Sequence, residues 1–148
     1  MNRIFLSFRT NTYQWSSDTI RSVVRSGWEV RGGTVERPMQ MFVTPRVVEE
    51  AKKHFACDTL EGAELENQGG EGTALTHWEK RIFENEAMTG VHTQDPVYSK
   101  ITLALLEDSG WYRPDYQAAT TLAFGHRLGC DFAKKSCKSW LDQARKAQ

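Results

Sequence analysis

The sequence predicts an α+β fold, rich in helix and with long irregular connections. Three observations lead there. Apolar residues recur at helical spacing in segments 46–56, 97–110 and 132–147. Two short extended segments flank the Gly32-Gly33 pair, and the stretch from Cys57 to Thr76 has no convincing period.

In chain order, Ser16-Ser17-Asp18 is a cap for a short helix from about Thr19 to Ser26, ended by Gly27. "WEVRGGTVERPMQMFVT" reads as two extended segments around the Gly32-Gly33 turn, with Met39, Met41 and Val43 alternating toward one face. Thr44 is an N-cap followed by Pro45 at the first helical position, where a missing N–H does no harm. The helix "RVVEEAKKHFA" follows, with Val47, Val48, Ala51 and Phe55 on one stripe. Five acidic residues and four glycines make Cys57 to Thr76 an irregular loop, and Gly69, Gly70 and Gly72 permit backbone angles other residues resist. Asp95-Pro96 opens a second helix, "VYSKITLALLEDSG", with Val97, Ile101, Ala104, Leu105 and Asp108 in register, ending at Gly110. Trp111-Tyr112 then runs toward Pro114. A last helix spans about Phe132 to Ala147, with Phe132, Ser136, Trp140 and Ala144 in register.

The 148 residues are one domain's worth of chain or part of a larger domain. An apolar fraction of 39%, with five Trp and seven Phe, is enough for a core and too much for a disordered segment. Nineteen basic and 19 acidic residues cancel, so no chain-wide field draws in nucleic acid or an anionic membrane. Lys134, Lys135 and Lys138 read as a solvated helix face. No apolar stretch is long enough to span a bilayer. The apolar group Ile4, Phe5, Leu6 is interrupted by Ser7 and Arg9 and lacks a cleavage site, so it is not a secretory signal. That start suits a cytosolic chain, or one whose true start lies upstream. Cys57, Cys130 and Cys137 read either as three reduced thiols, the simpler case, or as one disulfide plus an orphan.

Taken singly, no residue announces chemistry. His77 beside Trp78 has the setting of a hydrogen-bonded loop histidine, and Met88, eleven residues on, that of core filler. His54, His92 and His126 have no partner at i+3 or i+4 and no Cys-x-x-Cys nearby, which speaks against metal binding. Glu61, Glu64, Glu66, Glu79, Glu84 and Glu86 are too many to single out an acid–base pair. Nothing matches a nucleophile elbow, a P-loop or a dinucleotide loop.

Taken together they say more. "CDTLEGAELENQGGEGTALTHWEKRIFENEAMTG", then "ITLALLEDSGWYRPDY" and "LGCDFAKKSC", closely resembles the leishmanolysin family of zinc metallopeptidases, within the metzincin group. The resemblance covers Trp28 to the C-terminus, about four-fifths of the chain. It implies the later part of a metzincin catalytic domain over 45–148, preceded in 1–44 by part of the family's insertion. It implies His77 as the third zinc-binding histidine and Met88 as the methionine of the Met turn, a soft apolar floor under three imidazoles and not a ligand. It also implies a disulfide between Cys57 and Cys130, with Cys137 bonded to a cysteine further downstream. The implied cofactor is zinc and the implied substrates are peptides or proteins. A secretory or cell-surface location, with membrane association in some members, belongs to the same resemblance.

The other two zinc histidines and the catalytic glutamate of such an enzyme come from a His-Glu-x-x-His helix, and the 76 residues before His77 contain no such motif. No catalytic residue is therefore assigned, and the chain alone is expected to be inactive. Two functions follow: part of a zinc metalloendopeptidase, or a non-catalytic interaction or cell-adhesion module that keeps the scaffold.

Overall fold

The computed structural model describes residues 4–7, 12–70 and 72–146. Arg9, Glu71 and Ala147, which enter the expectations above, lie outside the described residues. The architecture is α+β. Strand β1 (Ile4–Ser7) pairs antiparallel with β2 (Thr12–Trp15). A separate three-stranded antiparallel sheet runs β3 (Ile20–Val30), β4 (Gly33–Phe42) and β5 (Ala63–Glu64). The helices are α1 (Pro45–Phe55), α2 (Lys80–Phe83), α3 (Lys100–Ser109), α4 (Gly129–Lys134) and α5 (Cys137–Lys146).

The helix expected over Thr19–Ser26 is instead the first half of β3. Ile20, Val23 and Val24 are β-branched and lose rotamer freedom in a helix, and the pairing of Ile20 with Phe42 and Val23 with Met39 decides the matter. Gly27 ends no helix. It sits at a register shift between Arg25 and Trp28, with φ at 67°, where the strand bulges. The turn joining the long hairpin lies at Arg31-Gly32, as the glycine pair suggested.

Helix α1 follows its sequence pattern: Val47, Ala51 and Phe55 are buried on one stripe. Its N-terminus is satisfied differently. Thr44 occupies the cap position without a side-chain bond, and the Asp108 carboxylate accepts the N–H groups of Arg46 and Val47 at 2.9 and 3.1 Å. Asp108 lies near the end of α3, so the two helices pack antiparallel, α3 presenting Ile101 and Ala104 to the common core. Helix α3 starts three residues later than its apolar pattern. Val97 pairs with Glu86, and Ser99 caps the helix by accepting from Thr102 N–H.

The single C-terminal helix predicted over 132–147 is two helices. Lys135 is extended, and Ser136 caps α5 by accepting the N–H of Ser139 at 3.1 Å. The apolar pattern crosses the break because Trp140 of α5 packs edge-on against Phe132 of α4, with ring centroids 5.4 Å apart. A disulfide anchors the first of the two helices: Cys57, just past the end of α1, is joined to Cys130 in α4. The reduced-thiol reading of those two is thereby corrected, and Cys137 is free and exposed. With its ends 73 positions apart in sequence, the cross-link stabilises by about 4 kcal/mol on the loop-entropy model. No helix among the described residues is long and apolar enough to cross a membrane.

Candidate metal centre

The aperiodic stretch before His77 is a hairpin in all but name. Its residues Glu64 to Glu66 run antiparallel to His77 to Glu79, around a bridge between Leu65 and Trp78. Glu66 N–H donates to the His77 carbonyl, and Glu79 N–H to that of Glu64, each at 2.9 Å. On its other side Trp78 bridges Thr89 in parallel, and Trp78 N–H donates to the Met88 carbonyl at 2.9 Å. His77 is thus held on a central strip between β5 and the turn that carries Met88.

That turn is tight. Thr89 N–H closes it on the Glu86 carbonyl at 3.1 Å, and the Thr89 hydroxyl reinforces the same carbonyl at 2.8 Å. These bonds fix the main chain on either side of Met88. His77 and Met88 line one cleft of about 280 Å³, whose walls include Phe42, Leu65, Trp78 and Leu105. Both are half-buried.

The imidazole has a definite orientation. Its Nδ1 lies 3.0 Å from the Thr73 carbonyl and 2.9 Å from the Thr76 hydroxyl. The Thr76 hydroxyl also reaches the carbonyls of Gly72 and Thr73. A carbonyl can only accept, so Nδ1 carries a proton, and in the neutral tautomer with that arrangement the lone pair is on Nε2. Metal-binding histidines ordinarily have this tautomer fixed by a backbone carbonyl behind the ring. The glycine-rich loop supplies it here. The donor chemistry fits one zinc ligand.

A buried acidic patch lies beside the strip. Glu64, Glu66 and Glu79 are all buried. Glu66 accepts the N–H groups of Asn67, Gln68 and Lys80. Glu64 pairs with Arg81 at 2.6 Å, and Arg81 stacks 5.1 Å above the Trp28 ring. Burial, followed by the charges of Glu64 and Glu66, raises the Glu79 carboxyl above its ordinary value. Among the described residues no three His, Cys, Asp or Glu side chains converge as a metal site.

The remaining histidines lie elsewhere. His54 Nε2 meets the Phe124 carbonyl at 3.0 Å, and its ring faces His126 at 5.6 Å between centroids. His92 is exposed.

The leishmanolysin peptidase family model matches residues 16–143. The chain belongs to the leishmanolysin family. It is 66% identical over 137 residues to a leishmanolysin-like peptidase of Drosophila pseudoobscura pseudoobscura, covering 93% of this chain and 20% of that protein. To the leishmanolysin-like peptidase of Caenorhabditis elegans it is 62% identical over 133 residues, covering 90% and 20%. To the leishmanolysin of Leishmania chagasi it is 36% identical over 90 residues, covering 61% and 15%. The chain thus spans about one fifth of the length of the leishmanolysin-like peptidases it matches. Leishmanolysins are a family of zinc metallopeptidases.

The residues that hold this leishmanolysin segment in shape were not singled out by any motif. Glu86 and Thr102 are buried polar side chains bound to each other.

Proposed function

We propose that the chain contributes the third zinc ligand, His77, and the methionine floor, Met88, to a zinc metalloendopeptidase centre. The observation that carries this reading is the Trp78–Met88 main-chain bond, which sets His77 and Met88 on one cleft while the Thr73 carbonyl engages Nδ1 of the ring. The other two imidazoles and the glutamate base are assigned to a His-Glu-x-x-His helix outside these 148 residues. Bound among the three imidazoles, zinc supplies the Lewis acidity for hydrolysis of a peptide bond. His77 then has one task, to present Nε2. The Thr73 carbonyl keeps its tautomer correct, and Met88 excludes water from beneath the ring while adding no charge. The substrates are peptides or proteins.

One imidazole does not hold zinc against water, so the isolated chain is inactive. Elemental analysis of the purified chain, alongside a casein cleavage assay, tests this. The expected result is far less than one zinc per chain and no cleavage. Near one zinc per chain would mean that His54, His92 or His126 joins His77, and would overturn the assignment. The alternative, a non-catalytic interaction or cell-adhesion module, rests on the missing motif. It is favoured if the full-length protein binds no zinc yet folds cooperatively.

A further inference from the structure

Glu86 is 1% exposed, and its carboxylate accepts four hydrogen bonds. Met88 N–H donates to Oε2 at 2.6 Å. Oε1 takes the Ser99 N–H at 3.0 Å, the Ser99 hydroxyl at 2.8 Å and the Thr102 hydroxyl. The Thr102 oxygen in turn accepts the indole N–H of Trp78 at 2.9 Å. These bonds close a ring. Trp78 holds the Met88 carbonyl through its main chain, Met88 holds Glu86 through its amide, and Glu86 returns through Thr102 to the Trp78 side chain.

All four donors to Glu86 are neutral, and among the described residues no Lys or Arg forms an ion pair with it. Among the described residues, the carboxyl is buried on neutral donors. What the site needs is a group that only accepts, placed where two fixed amides and two hydroxyls meet. Glutamine is the same size but turns an NH2 toward one of the two amide N–H groups. Aspartate is one carbon too short to reach both sides.

We propose that Glu86 is the positioning residue of the metal ligand: it fixes the height of the Met turn and, through the Trp78 ring, the strand position of His77. This rests on the reading of His77 as a zinc ligand. Glu86 does not touch the metal. It acts by setting where the adjoining residue Trp78 is held from both its amide and its indole.

The test compares Glu86→Gln with Ala104→Gly in the full-length protein. Ala104 is buried on α3 and takes no part in the ring, so its glycine variant loosens the same helix from another side. Zinc affinity is read by chelator competition and Tm by calorimetry. Ala104→Gly is expected to lower Tm while keeping zinc affinity. Glu86→Gln is expected to lose affinity about 10- to 100-fold, the range of lost ligand-orienting contacts. If Glu86→Gln does not fold, Thr102→Val removes one link of the ring and is expected to lose affinity several-fold. His77→Ala separates the two ideas, since retained zinc in that variant would sink the ligand reading itself. With zinc lost in His77→Ala, equal affinities in wild type and Glu86→Gln (or Thr102→Val) would overturn the positioning role alone.

Discussion

The amide of Trp78 donates to the carbonyl of Met88 at 2.9 Å, so the residue after His77 is stitched directly onto the methionine turn. Met88 comes eleven positions after His77 in the sequence, and α2 folds between them, yet they line one cleft. The indole of Trp78 is 1% exposed and packs against Phe42 and Phe83, with centroids at 6.1 and 5.7 Å.

Trp78 is therefore expected to dominate the stability of this region. Trp78→Ala should cost about 3–5 kcal/mol, the range for truncating a buried large aromatic. Trp78→Phe keeps most of the packing but drops the bond to Thr102, and should cost about 2 kcal/mol. Urea unfolding of the two variants checks both values and their order.

Asp108 links α1 to α3. Replacing it with alanine removes Oδ2, the one oxygen that accepts both the Arg46 and the Val47 N–H at the α1 N-terminus, where Thr44 offers no side-chain substitute. The expected loss is about 2 kcal/mol, at the upper end for a helix cap. Asp108→Asn retains one acceptor oxygen and should lose less. Thermal melts of the pair measure it.

Asp108 also shows what a sequence can and cannot disclose. Its place on the inward stripe of α3 was visible, but its partner 62 residues earlier was not, because a cap supplied from another helix leaves no local spacing. The same holds for Gly27, whose helix-ending appearance hid a bulge that only the pairing with β4 creates. Helix α1 and the Gly32 turn were legible because their signals are local. His77 and Met88 stood out only through the order of the family's motifs. The ring around Glu86 had no sequence signature, since its members come from three separate elements.

The Arg25–Glu61 pair makes stability depend on acid. Burial alone would raise the Glu61 carboxyl, but two 2.7 Å bonds from Arg25 and its charge outweigh that and bring it down to about 2. A carboxyl whose folded pKa lies below its unfolded value stabilises fully above the unfolded value. That contribution fades as pH falls from about 4.5 toward 2. Arg25→Met should cost about 1–2 kcal/mol at neutral pH and show a flatter decline across that window. Urea midpoints at pH 7, 4 and 3 give the comparison.

Reducing the Cys57–Cys130 bridge should lower stability by about 4 kcal/mol, because it frees a loop of 73 residues in the unfolded chain. Cys57 is buried, so reduction in the folded state should be slow and should accelerate in mild denaturant. Mass labelling of released thiols follows it, with Cys137 reacting at once.

The decisive measurement is an anomalous difference map at the zinc edge from crystals of the zinc-loaded full-length protein. A peak about 2.0–2.1 Å from His77 Nε2, on the cleft side above the Met88 sulfur, is the expected result. A fully occupied peak bound by other residues, with His77 Nε2 left without metal, would contradict the account.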